Sequence, residues 1–257
     1  MVVGLDTFRN FFQEYTDKYL IIGGTACDII IERGGFEPRA TDDIDLILII
    51  GALSPEFVGR FWEFVAAGRY TIQQKDKVRR NCYRFRNPQS PDFPKQVELF
   101  CKTPDSIDLH SGAHLTPIPA CEGLSNLSAI LLDEDYYSYT IEHSIIDNNV
   151  HFANTEAIIC LKAFAYLDNK LKREQGVRIR SGDVTKHKND VFRMVFMLNP
   201  DDRFPLPEKL KNDLALFVNT VKDDLPHPEI FNINRFGRQN MQIIIERLIQ
   251  NFNLNAG

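Results

Sequence analysis

Gly23-Gly24-Thr25-Ala26, followed after a gap by Arg39-Ala40-Thr41-Asp42-Asp43-Ile44-Asp45-Leu46, decides how this 257-residue chain is read. Just before it, the apolar run Tyr19-Leu20-Ile21-Ile22 predicts a short buried strand. Thr25 to Arg33 reads as a helix that Gly34-Gly35 stops. After a loop with Pro38, Asp43 to Ile50 reads as a second strand. Side chains at i and i+2 of a strand share a face, so Asp43 and Asp45 stand side by side while Ile44 turns into the core.

Two carboxylates on one face repel each other unless a cation sits between them. Magnesium, or manganese in its place, suits such a pair. It is a hard ion that takes one or two carboxylates and fills its other positions with water and phosphate oxygens. The pair alone says little, because exposed acids are common. Its setting says more: Gly23-Gly24 opens a helix, where backbone N–H groups and the positive helix end favour a phosphate, and glycine lets that phosphate approach the main chain.

Outward from this stretch, Phe8, Phe11, Phe12 and Tyr15 give residues 5–18 the spacing of an amphipathic helix. Ser54-Pro55-Glu56 starts a helix reaching about Ala67, with a capping hydroxyl, a proline in the first turn and an acid at the positive end. Cys82 to Arg86 and Gln96 to Cys101 read as strands. Ala129 to Leu132, Tyr136 to Ile141 and Val150 to Phe152 are further short strand candidates. Residues 155–174, 183–198, 208–222 and 238–252 favour helix. The expectation is an α/β (α+β) chain: a mixed sheet flanked by helices over 1–153, then a helical domain over 154–257.

The composition, 44% hydrophobic and 25% charged, is that of an ordinary globular protein. No apolar run is long enough for a membrane span and no leader is visible, so the expectation is a cytoplasmic protein without a membrane partner. Five scattered cysteines suggest neither a disulfide framework nor a zinc knuckle. A net charge of -5 gives no global attraction to nucleic acid. Two local basic stretches exist, Lys75 to Arg86 and Lys170 to Lys188, and each reads first as a solvated face. His110 and His114 lack a third ligand, and neither a P-loop nor a G-x-S-x-G elbow occurs. Trp62 and the many phenylalanines read as core residues.

The glycine pair with the D-x-D strand resembles the signature of the nucleotidyltransferase superfamily related to polymerase beta, and within it the AbiEii/MenT group of toxin nucleotidyltransferases. The resemblance implies a mixed sheet with a helical C-terminal domain and transfer of a nucleoside monophosphate from a metal-bound triphosphate to a hydroxyl. The acceptor would be a tRNA 3′ end, a protein or a small molecule, and an antitoxin partner would follow from a toxin role. Asp43 and Asp45 would bind metal, and Gly23, Gly24 and Thr25 the triphosphate. Glu98, flanked by apolar residues on a later strand, would be the third carboxylate, with Asp108 as its competitor. Arg39 would reach phosphate or brace its loop. In the back half Lys162, which interrupts an apolar helix, would contact phosphates, supported by Lys186, Lys188 and Asp190. Two other readings stand beside this one, a D-x-D glycosyltransferase and a nucleotide- or partner-binding module without turnover. The module gains if Glu98 is buried in an ion pair far from Asp43.

Overall fold

The computed structural model describes residues 2–49, 54–72, 83–100, 133–233 and 237–254. They form two compact units, Met1–Asn154 and Thr155–Gly257. In the first, the order is α1 (Leu5–Phe12), β1 (Tyr19–Ile22), α2 (Gly23–Arg33), β2 (Asp43–Leu48), α3 (Pro55–Gly68), β3 (Thr71–Ile72), β4 (Tyr83–Arg86), β5 (Gln96–Phe100), α4 (Glu134–Glu142), β6 (Ser144–Asp147) and β7 (Val150–Ala153). The strands make one mixed sheet ordered β3-β4-β5-β2-β1-β7-β6. The chain is thus α/β, as its sequence leads one to expect, with a helical second unit.

The two faces of this sheet differ because strand side chains alternate. Ile44, Leu46 and Leu48 of β2 share their face with Tyr19 and Ile21 of β1, Val97 and Leu99 of β5, and Phe85 of β4. Tyr19 packs edge-on against Phe8 of α1, and Phe85 packs against Phe61 of α3, so both helices cover this face with an aromatic cluster. Phe8, Phe12 and Phe64 are wholly buried in it. Burying a phenylalanine is worth about 1.5–3 kcal/mol, which makes this cluster a main source of stability.

The other face of the same strands carries polar side chains in two rows. Asp43, Gln96 and Arg86 form one; Asp45, Glu98 and Arg84 form the next. Helix α2 leads directly out of β1 and packs on β1 and β2.

Two expectations are corrected here. Tyr136 to Ile141 is part of helix α4 and not a strand: Asp133 caps it by accepting from the N–H groups of Asp135 and Tyr136, and Tyr136, Tyr139 and Thr140 form its buried stripe. The β-favouring composition there yields to the cap and to helical spacing. Helix α1 ends at Phe12, well short of residue 18. The candidate strand at Ala129 to Leu132 lies outside the described residues, as do Cys82, Cys101, Cys121, Asp108, His110, His114 and the basic residues from Lys75 to Arg80.

The second unit comprises α5 (Thr155–Glu174), α6 (Ser181–Phe196), α7 (Glu208–Val221), a 3-10 turn (Pro228–Phe231) and α8 (Arg238–Asn251). Helix α5 packs on α6 and α7, and α6 on α8. The Asn251 side chain, fully buried, donates to the carbonyls of Asn199 and Asp202 at 3.0 and 2.6 Å and so fixes the α6–α7 connection. Among the described residues no helix is long and apolar enough to cross a membrane.

Candidate functional site

The helix after β1 begins at Gly23 itself, two residues earlier than its sequence pattern indicates. Gly23 has φ +72, a conformation that L side chains rarely adopt. A Cβ placed on it would meet Asp45 Oδ2 at 2.1 Å, so the Asp45 carboxylate rests directly on the start of α2. A Cβ on Gly24 would come within 2.9 Å of Thr41 Oγ1 and 3.2 Å of Arg39 Nη2. Gly23 is therefore required by close approach and by its backbone, while Gly24 is closely covered by the side chains of Thr41 and Arg39.

Asp43 and Asp45 are half-exposed, while Ile44 between them is buried. Thr25 is buried, and its hydroxyl donates to the Asp43 carbonyl oxygen, tying the first turn of α2 to the start of β2. The Thr25 hydroxyl is thus committed to the fold of the site. Exposed Lys95 bonds to Asp42, and that bond raises the ammonium's pKa, with the charge of Asp43 adding to the effect.

Glu98 pairs in register with Asp45 on the parallel neighbour β5, so it stands one strand away on the same face. It is 2% exposed, and its Oε1 lies 2.6 Å from Arg84 Nε and accepts from Gln96 Nε2 at 2.6 Å. Its Oε2 is buried without a hydrogen bond. The condition set for a non-catalytic module is met in one half only: Glu98 is ion-paired, but it adjoins Asp45. Among the described residues no three acidic, histidine or cysteine side chains converge on a single ion position. The donor set that fits a hard cation is therefore Asp43 with Asp45, half-exposed hard oxygens on one face, and Glu98 Oε2 is a leftover acceptor beside them.

In the helical unit Lys162 and Asp190 are each 2% exposed and bonded to one another at 2.8 Å. Lys188 is buried too, donating at 2.7 Å to both the carbonyl and a carboxylate oxygen of Asp224. Lys162 and Lys188 thus each have a partner within their own unit.

Two residues that the sequence reading passed over belong to the site. Asp28, in the second turn of α2 and 1% exposed, accepts from the N–H groups of Arg39 at 3.3 Å and Thr41 at 2.6 Å. Arg84 is the cation facing Glu98. The signal for Asp28 was an acid inside the apolar run Ala26 to Ile31, which demands buried partners.

No protein-family model and no curated protein matches the sequence. A solved structure described as an antigenic nucleotidyltransferase-like protein from Paracoccidioides brasiliensis is similar over 95% of this chain and 93% of its own, at 15% identity and a TM-score of 0.45. The function of this chain is therefore argued from its own residues.

Proposed function

We propose that the chain is a metal-dependent nucleotidyltransferase whose site is the junction of β1, α2 and β2. The observation that carries this reading is the seating of the Asp45 carboxylate on Gly23 at the positive start of α2, with Asp43 beside it on the same face. A metal held by the two acids and a phosphate held by the helix start would then be neighbours. Bound magnesium or manganese neutralises phosphate charge and lowers the pKa of the acceptor hydroxyl.

The remaining work falls to the chain's own groups. Gly23 and Gly24 let the triphosphate approach the backbone, and Arg39, packed over Gly24, adds a second positive group to the same spot. The acceptor oxygen bonds to the α-phosphorus, the α–β anhydride bond breaks, pyrophosphate leaves with the electron pair, and the acceptor's proton goes to solvent. Glu98, one strand from Asp45 and paired with Arg84, lines the site beside the two metal-holding acids. Lys162 and Asp190, closed upon each other, we assign to holding α5 against α6 and not to the nucleotide.

The acceptor classes that fit the resemblance are a tRNA 3′ end and a protein hydroxyl, and a toxin role with an antitoxin partner is its further extension. One observation favours a second reading, a nucleotide-binding module without turnover: the Glu98 carboxylate is taken up by Arg84. Incubating the chain with each α-labelled nucleoside triphosphate, magnesium and an extract of RNA and protein separates the two. Label moved to RNA or protein, and lost in Asp43→Asn, supports transfer and names the acceptor class. Triphosphate bound but never transferred supports the module.

A further inference from the structure

Asp28 is a buried acid that the proposed reaction does not touch. Its two oxygens take the N–H groups of Arg39 and Thr41, one each, and leave Ala40 between them. Ala40 has φ +61, in the left-handed region where a residue with a Cβ stays only if its surroundings hold it there. Two hydrogen bonds to a fixed carboxylate, one on either side of the strained residue, do that. The flanking residues are the ones laid over Gly24: Arg39 with its guanidinium, Thr41 with its hydroxyl and methyl groups. Two residues further on, the chain enters β2 at Asp43.

We propose that Asp28 is a positioning residue for the triphosphate: by clamping the loop on both sides of Ala40 it sets the Arg39 guanidinium at the N-terminus of α2. The inference rests on the nucleotide reading above. A helix start and a guanidinium are both positive, and both suit the phosphates of a triphosphate. A carboxylate suits the clamp because it accepts both N–H groups. An asparagine of the same shape accepts one and presents its own N–H to the other.

The test is a coupling measurement. Affinity for each of the four magnesium nucleoside triphosphates is measured by equilibrium dialysis on the native chain, Asp28→Asn, Arg39→Gln and the double variant. Asp28→Asn is expected to weaken the best-bound triphosphate about tenfold, the scale of a lost charge-assisted hydrogen bond. The double variant should bind no worse than Arg39→Gln, because Asp28 acts through Arg39. Additive losses, or native affinity in Asp28→Asn, would overturn this inference alone. A native chain that binds no triphosphate overturns the nucleotidyltransferase reading and this inference with it. Hydrogen exchange on the native chain reads the clamp even if Asp28→Asn does not fold: the Arg39 and Thr41 amides are expected to exchange slowly, and exchange at the rate of open loop amides contradicts the proposal.

Discussion

In the α/β unit two like charges, Asp43 and Asp45, share one face of β2 and stay half-exposed, whereas in the helical unit two opposite charges, Lys162 and Asp190, are buried together at 2.8 Å. The second arrangement is electrostatically complete within its own unit, and both groups are out of water's reach. The first stays within reach of water, where two neighbouring carboxylates repel each other and suit a cation between them. A buried pair of opposite charges suits the fold, and two acids on one accessible face suit a ligand cation. By that measure the function is to be sought at β2, although the buried lysine is the more conspicuous feature of the sequence.

Asp43→Asn is expected to lower label transfer by about 10²–10³-fold, the range for removing one group that stabilises developing charge, while the melting temperature stays level or rises. A matching loss of stability would mean that Asp43 belongs with the structural charges. Lys162→Met should do the reverse. It removes the nearer cation from buried Asp190, whose ion pair with Arg193 Nη1 is longer at 3.9 Å, so thermal or denaturant unfolding should show a loss of up to about 3–5 kcal/mol. Adding Asp190→Leu should restore much of it, since a buried ion pair is often replaceable by apolar groups. If Lys162→Met kept full stability and lost triphosphate binding, the pair would have to move to the functional side of the comparison.

Gly23→Ala joins the two kinds of effect. The new methyl group falls on Asp45 Oδ2 and the backbone has φ +72, so unfolding should show a cost of about 1–3 kcal/mol, with metal binding weakened as Asp45 is displaced.

The smallest expected effect is one of pH. His151, mostly buried, has ring nitrogens 2.8 Å from Ser144 Oγ and 2.7 Å from the Thr16 carbonyl oxygen. Burial lowers its pKa, partly opposed by hydrogen bonds to the backbone at Thr16 and Tyr19 and by the charge of Asp17. Below about pH 6.5 the unfolded chain therefore takes up this proton more readily than the folded one, and stability falls as pH drops through that region. Denaturant melts at pH 7.5 and pH 5.5 should differ less in His151→Gln than in the native chain.

Much of this site was legible in the sequence because it is local. A strand, two glycines, a helix and a strand with alternate acids are consecutive features, and alternation alone puts Asp43 and Asp45 on one face. What was hidden depends on pairing between distant segments. The neighbour of Glu98 is set by the register of β4 on β5, which places Arg84 opposite it. Asp28 draws its meaning from N–H groups at residues 39 and 41, and nothing near it in sequence announces them. Helix α4 misled for the opposite reason, since the β-forming side chains around Tyr136 outweighed the single aspartate that caps it.

Whether Asp43 and Asp45 together hold a metal-bound triphosphate is read by calorimetric titration with nucleoside triphosphate, with and without magnesium. The native chain is expected to bind at least one triphosphate only when magnesium is present, and Asp43→Asn and Asp45→Asn are each expected to abolish the magnesium dependence. Equal binding with and without the metal, or magnesium-dependent binding that survives both substitutions, would contradict that role.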